Sequence, residues 1–320
     1  MPTNNNTRVQ IQIVTYNSEH CISACLAAVT AQSYPIESLL VIDNASIDST
    51  LSLVESFPIV RIERLEINTG YAHAHNHGFM LAVEQGIDVV LTLNPDVLLH
   101  EDYISEALTA FDDAKVGGVT GKLWRVLGKG EGELHLDTTG LVMGAFYHAY
   151  DRGSQSIDHK QFDQERHRDV WGICGAAAFY RVAMLQDLQE EGKAFEEAFF
   201  LYKEDVDLCF CALRLGWRFA YVATATGFHR RGWQKGRPQV ATLAYEHSFA
   251  NQVAILIRHG TWWFPALWLS ILLETARYVR MLLVSQQCAQ KSMALIRSQW
   301  GYHVAFRQAF AQRVKARRGW

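Results

Sequence analysis

Apolar and polar residues along the chain follow two periods in turn. Val9 to Val14 is a short β-rich run that stops at Thr15-Tyr16-Asn17, a turn signal. Cys21 to Ala31 switches to helical spacing, with Ile22, Leu26 and Val29 on one face. Ser38 to Ile42 is a second apolar strand, stopped by Asp43-Asn44-Ala45-Ser46, and Asp48 to Glu55 reads as a helix. A third strand is predicted over Val60 to Leu65 and a third helix over Ala72 to Glu84. Asp88 to Leu93 is nearly all apolar, as in a strand buried on both faces. Strands alternating with helices over about 100 residues predict an α/β fold on a parallel, doubly wound sheet. Ligands of such sheets bind beyond the carboxyl ends of the strands, where these polar motifs sit.

From Asp102 to about Gly227 the pattern is more mixed. A Gly-rich, charged stretch from Gly128 to Asp137 and a polar loop from Asp151 to Asp169 bracket predicted hairpins. Beyond Thr242 the chain reads as helical. The expected organisation is a catalytic domain over 1–240, with halves at about 9–100 and 101–240, and a helical, basic region over 241–320.

With 320 residues, 49% of them hydrophobic, the chain can bury a large core. A net charge of −3 points to no polyanionic partner, so no nucleic acid is expected. The distribution says more. Residues 275–320 hold nine Lys/Arg and no Asp or Glu, whereas the preceding 274 residues carry 21 basic and 33 acidic groups. An acidic body with a basic tail suggests a tail that faces something negative. The six cysteines form no CxxC pair and read as small buried hydrophobes in a reducing compartment. The polar residues Met1 to Arg8 lack an apolar signal core, and a cytoplasmic protein is expected.

Trp262 to Leu273 is a twelve-residue run interrupted only by Pro265 and Ser270. Spanning a bilayer takes about 20 apolar residues, so a span is not expected. Two readings stay open: a helix lying on the inner membrane face with Trp262, Trp263 and Trp268 at headgroup level, or a helix packed on the catalytic domain or on a partner subunit, as in a homodimer.

Asp43 can accept hydrogen bonds from a base or ribose, or can serve a turn and helix cap. Leu93-Asn94-Pro95-Asp96 ends the buried fourth strand. In extended chain Asn94 and Asp96 would point the same way and could share one cation; the alternative is an Asn-Pro turn. Glu204, Asp205 and Asp207 open a predicted helix, Asp205 to Leu215, where the macrodipole stabilises carboxylates. The aromatic run Phe195 to Tyr202 should also desolvate at least one of them and raise its pKa, as suits a general base.

Taken in order, Val14-Thr15-Tyr16-Asn17, Val41 to Thr50, Asn68-Thr69-Gly70-Tyr71-Ala72 with Asn76 and Gly78, Leu93 to Asp96, Gly172 to Ala176, and Phe195-Glu196-Glu197 leading into Glu204 to Cys209 resemble a family 2 glycosyltransferase of the GT-A fold. The branch resembled is the rhamnosyltransferase-like one that builds bacterial surface polysaccharides, and the resemblance covers roughly residues 9 to 235. It implies that Thr15, Tyr16, Asn17, Asp43 and Asn44 meet the nucleotide, and that Gly70 and Asn76 line its diphosphate side. Asp96 would bind Mg²⁺ or Mn²⁺ with His229, beside Asn94 and Pro95. Asn94 stands where the family motif has its first Asp, which leaves one charge fewer on the ion. Asp205 would be the base and Glu204 its orienting neighbour. Gly175 and Ala176, with Trp171 beside them, would shape the acceptor floor. Arg230 and Arg231 would serve the diphosphate or form a solvated basic turn. His73, His75 and His77 include a helical metal spacing, but the resemblance leaves them at variable positions.

The implied reaction is inverting transfer from a nucleotide-diphosphate sugar, with deoxythymidine-diphosphate rhamnose the first expectation and uridine-diphosphate hexoses next, to a saccharide or lipid-linked saccharide. Two rivals stand beside it. A nucleotidyltransferase would need a Gly-rich, Lys-bearing loop after the first strand, where this chain has Thr15-Tyr16-Asn17-Ser18. A degenerate, non-catalytic scaffold would not need both Asp96 and Asp205.

Overall fold

A computed structural model describes residues 7–126, 133–164, 167–189, 193–231 and 238–319. Residues 128–132 of the Gly-rich stretch and Gly232, at the end of the late histidine motif, lie outside these residues.

The first half is built as its periodicity predicts. Strands β1 (Val9–Thr15), β2 (Ser38–Asp43), β3 (Val60–Arg64) and β4 (Val89–Leu93) alternate with helices α1 (Ile22–Thr30), α2 (Thr50–Glu55) and α3 (Tyr71–Glu84). β5 (Val97–Leu99), α4 (Tyr103–Leu108), β6 (Val116–Arg125), β7 (His135–Thr138), β8 (Leu141–Met143), β9 (Ala149–Asp151), β10 (His167–Val170) and β11 (Ala177–Arg181) follow. Then come α5 (Val182–Leu188), α6 (Glu204–Arg214), β12 (Arg218–His229), α7 (Pro238–His259), α8 (Pro265–Val284) and α9 (Gln286–Arg318).

One mixed sheet has the order β10-β12-β6-β11-β4-β1-β2-β3, with β5 added to β12 and β7 to β6. β3, β2, β1 and β4 are mutually parallel, as are β6 and β12; β11 runs antiparallel between the two groups. β4 is buried at every position, whereas the edge strand β3 is half exposed. The expected hairpin is β8–β9. Separate apolar clusters cover the two sheet faces. Ile11, Ile13, Val41 and Leu91 meet α1 and α4 on one side; Val90, Ala178 and Tyr180 meet α3, α5 and α6 on the other. On that second face Gln10 donates to the Gly78 carbonyl and Gln12 contacts His75 Nδ1 at 2.7 Å, so α3 sits close enough that a Cβ on Gly78 would overlap the Gln12 amide.

The C-terminal helices are bolted to the α/β part. Phe310 and Val314 of α9 complete the cluster under α5 and α6, and Arg317 pairs with Asp187. The basic tail is therefore partly neutralised within the molecule. All six cysteines are free, and five are buried. None of the described helices is long and apolar enough to cross a membrane.

Candidate functional site

The carboxyl ends of β1 and β2 are joined by side chains. Buried Thr15 donates to Asp43 Oδ1 at 2.8 Å, and Ser46 donates to the same carboxylate from its backbone N–H and its hydroxyl. Asn17 holds the same loop, its Oδ1 accepting from Ile47 N–H at 2.9 Å. Asn44 grips the next loop, donating to the Gly70 carbonyl and accepting from Thr69 N–H. These groups brace the loops at the strand ends, and Tyr16 is their half-exposed member. Gly70 has φ +87°, and a Cβ there would lie 2.5 Å from the Phe200 carbonyl.

Asn76 is placed differently from the expectation. It is buried, donates to the Phe195 carbonyl and to Glu197, and accepts from Ala194 and Phe195 N–H. An amide has two donors and two acceptor lone pairs, and these four bonds occupy them. Asn76 therefore pins the 194–197 segment and leaves no group for a diphosphate. The three histidines of α3 also diverge: His73 faces Glu197, His75 faces Gln12 and His77 faces Glu63.

The pairing of β5 with β12 sets the next cluster. His229 is in register with Val97, so the residue before Val97, Asp96, lies beside the imidazole. His229 Nε2 is 3.2 Å from Asp96 Oδ1, and Nδ1 is 2.8 Å from Asp137 Oδ2. Burial alone would lower the His229 pKa, but the hydrogen bonds and charges of Asp137 and Asp96 outweigh it and raise it to about 9. Burial would raise Asp137, yet His229 and Arg231 hold it below the ordinary carboxylate value. Residues 94–97 form a turn, closed by Val97 N–H on the Asn94 carbonyl, so the extended geometry expected for Asn94 and Asp96 is not present. The Asn94-Pro95 pair prevents it: proline lacks an N–H and bends the chain after β4. Arg231 is another correction. Its guanidinium bonds Asp137 at 2.6 Å and Asp151 at 2.7 Å, offsetting buried carboxylates rather than forming a free phosphate grip or a solvated turn. Arg230 is exposed, and its N–H meets the Asp96 carbonyl.

Asp96 and His229 suit a divalent cation. A carboxylate and an imidazole face each other, and the far ring nitrogen is anchored by a buried carboxylate, the arrangement that orients a ligating histidine. A cation would replace the proton they share. A second group, Asp207, Cys211 and His259, has ligand atoms within 4.8 Å of one another. Asp207 there is already neutralised by the Arg258 guanidinium, whose charge repels an ion.

The third cluster opens α6. Asp205 Oδ2 accepts from Gly175 N–H at 3.0 Å, and the Gly175 carbonyl accepts from the Tyr71 hydroxyl at 2.9 Å. The next residue, Ala176, accepts from Asn94 N–H, so two consecutive residues tie Asp205 to the turn that carries Asp96. Trp171 is half-buried with its ring edge on Phe210. Burial, then the Asp205 charge, pushes Glu204 up to about 8, and burial also raises Asp205. Glu204 is the more buried of the two, with Oε2 unpaired among the described residues. A proton on Glu204 removes the like-charge repulsion and leaves the partly buried Asp205 as the anion.

The backbone leading into α6 is unusual. Phe200, Tyr202 and Lys203 all have positive φ, of 54°, 68° and 70°. Buried Asn251 of α7 points its amide nitrogen at the Phe199, Leu201 and Tyr202 carbonyls. Asn251, Asp137 and Asp151 had no signal in the sequence, because the partners that matter to the site, Tyr202, His229 and Arg231, lie at least 49 residues away.

Residues 11–189 match the model of Glycosyl transferase family 2. The N-acetylglucosaminyl-diphospho-decaprenol L-rhamnosyltransferase of Mycobacterium tuberculosis is 27% identical over 267 residues, 78% of this chain and 84% of that one. A hyaluronan synthase of Streptococcus pyogenes is 28% identical over 126 residues, 36% of this chain and 29% of that one. Among solved structures, the mannosyltransferase PcManGT from Pyrobaculum calidifontis, in complex with GDP-Man and Mn²⁺, aligns over 100% of this chain and 85% of its own (TM-score 0.55, 17% identity). GalNAc-T7 with UDP, GalNAc and Mn²⁺ aligns over 80% of this chain but only 48% of its own length (TM-score 0.60, 12% identity). These likenesses show the GT-A fold.

Proposed function

The chain belongs to Glycosyl transferase family 2, and from that membership we propose that it transfers a sugar from a nucleotide diphosphate to an acceptor hydroxyl with inversion at the anomeric carbon. The observation that carries the reading is the link through Gly175 and Ala176, which ties the partly buried Asp205 carboxylate to the turn that carries Asp96.

Asp205 takes the proton of the acceptor hydroxyl. The oxygen forms its bond to the anomeric carbon as the carbon–phosphate-oxygen bond breaks, and the electron pair leaves on the diphosphate. The Gly175 N–H and the Val206 N–H hold the two Asp205 oxygens and aim the carboxylate. Glu204, protonated by burial, keeps a second negative charge from competing for that proton. Asp96 and His229 would hold Mg²⁺ or Mn²⁺, which offsets charge on the departing diphosphate. The strand-end group of Thr15, Tyr16, Asn17, Asp43, Asn44 and Gly70 is the proposed seat of the nucleoside, with Tyr16 as its exposed ring. The segment around Trp171, Gly175 and Ala176 is the proposed acceptor floor.

The M. tuberculosis relative is named as a rhamnosyltransferase acting on a lipid-linked sugar. That name favours deoxythymidine-diphosphate rhamnose as donor and a lipid-linked saccharide as acceptor. A thermal-shift screen of nucleotide sugars with Mg²⁺ or Mn²⁺ identifies the donor, since a ligand at 100 times its Kd stabilises by about 2.7 kcal/mol. Turnover of that donor by Asp205→Asn should fall by about 10²-fold or more. A folded variant with wild-type turnover would remove Asp205 from the role of base.

A further inference from the structure

Helix α8 carries an apolar stripe on its outer side as well as apolar residues on its inner one. Leu267, Ser270, Glu274 and Met281 face inward and are buried. On the opposite stripe, at helical spacing, Trp268 is 61% exposed, Leu272 65%, Val279 50% and Leu283 84%. Trp262, Trp263 and Phe264 extend this surface at the start of the helix. A contiguous exposed apolar stripe of this kind marks a docking surface, and α8, which carries Glu274, Arg277 and Arg280, is not apolar enough to cross a membrane.

The charges say what covers it. Glu274, the only acidic residue of α8, is turned inward onto His148 and Arg277. Arg280, next to the stripe, and Arg297 on α9 are exposed and have no ion-pair partner among the described residues. No carboxylate follows Glu274. Pairing this stripe with a second copy would gather cations with no exposed carboxylate on either α8 to meet them. An anionic lipid surface accepts both the apolar stripe and Arg280 beside it.

The inner face of α8 is linked to the site. Glu274 accepts from His148 at 2.7 Å, and His148 lies in the β8–β9 turn. At the far end of β9, Asp151 holds Arg231, which holds Asp137, the anchor of His229.

We infer that the outer stripe of α8 docks the enzyme on an anionic bilayer, so that the acceptor hydroxyl is taken from a molecule anchored in that bilayer. This rests on the transferase reading only for its last clause. The test is flotation of the full chain with phosphatidylcholine vesicles, plain or with roughly one-third phosphatidylglycerol. A variant carrying Leu272→Glu and Leu283→Glu is floated in parallel, and donor hydrolysis is measured for both proteins. The expected result is co-flotation with the anionic vesicles, weakened by salt, and a loss of about tenfold or more in the variant, with its donor hydrolysis and melting temperature unchanged. Three results would overturn docking: wild-type protein that floats with neither vesicle, a variant that floats as well as wild type, or a wild-type dimer in sedimentation that the variant converts to monomer. Failure of flotation with donor hydrolysis intact removes docking and spares the transferase reading. Flotation without any donor hydrolysis supports docking and strikes the transferase reading instead.

Discussion

Arg258 holds Asp207 through two parallel hydrogen bonds, Nε to Oδ1 at 2.7 Å and Nη2 to Oδ2 at 2.9 Å, two residues beyond the proposed base. Both side chains are buried, His259 adds a third bond, and the other guanidinium nitrogen reaches Glu196. A helix after the sheet thus fixes the helix that carries Asp205.

Removing one partner leaves a buried charge unpaired. Arg258→Ala should cost about 3–5 kcal/mol of stability, read by urea denaturation. Burial raises the Asp207 pKa, but Arg258 and His259 override it and lower it. The stability from a lowered carboxylate pKa is present above the unfolded value, about 3.9, and is lost as pH falls toward the folded one. The gap in stability between wild type and Asp207→Asn should therefore narrow below about pH 4.

Glu204 behaves in the opposite sense. Its folded pKa is raised to about 8, so the folded state binds the extra proton between about 4.3 and that value. Stability is fully present below the unfolded pKa and is lost as pH rises through the folded one. Glu204→Gln should melt higher than wild type at pH 8.5 to 9, and the two curves should converge near pH 5. Curves that stay parallel across this range would show that Glu204 is not held protonated.

Asp137 touches the proposed cation site only through His229 and Arg231. Asp137→Asn should raise the Mn²⁺ concentration for half-maximal donor turnover by about 10- to 100-fold. The KM for acceptor should move little. A general collapse of the fold would lower both together, which separates positioning from stability.

Gly70→Ala places a Cβ against the Phe200 carbonyl in a backbone region that L residues avoid. A loss of at least about 2 kcal/mol is expected, with donor turnover falling because the 200–203 backbone must shift. Gly216 also has positive φ but open space around it, so Gly216→Ala tests the backbone penalty alone.

The parallel half of the sheet could be read from residues 9–93 because its signal is local: runs such as Val89 to Leu93 are nearly all apolar, and each ends at a polar turn. The same locality explains Asp96 and Asp205, which sit at strand and helix ends. Long-range partners were not legible. Asn76 occupies a motif position next to the expected nucleotide cleft, but its four bonds go to residues 118 to 121 positions away. Arg231 read as a diphosphate ligand or a solvated turn because nothing near it in the chain announces Asp137 and Asp151. Asn94 was aligned with Asp96 on the premise of extended chain, which the Pro95 turn breaks.

The residues of positive φ, Phe200, Tyr202 and Lys203, cost of order 1–3 kcal/mol each, and Asn251 holds the segment through the Phe199, Leu201 and Tyr202 carbonyls. Asn251 belongs to α7, beyond the segment that matches the family. Modularity therefore ends short of α6. A recombinant exchange that grafts residues 7–231 onto a foreign helical tail would carry over the proposed cation site intact, but would leave the approach to the proposed base free to relax unless the tail supplied an amide at the position of Asn251.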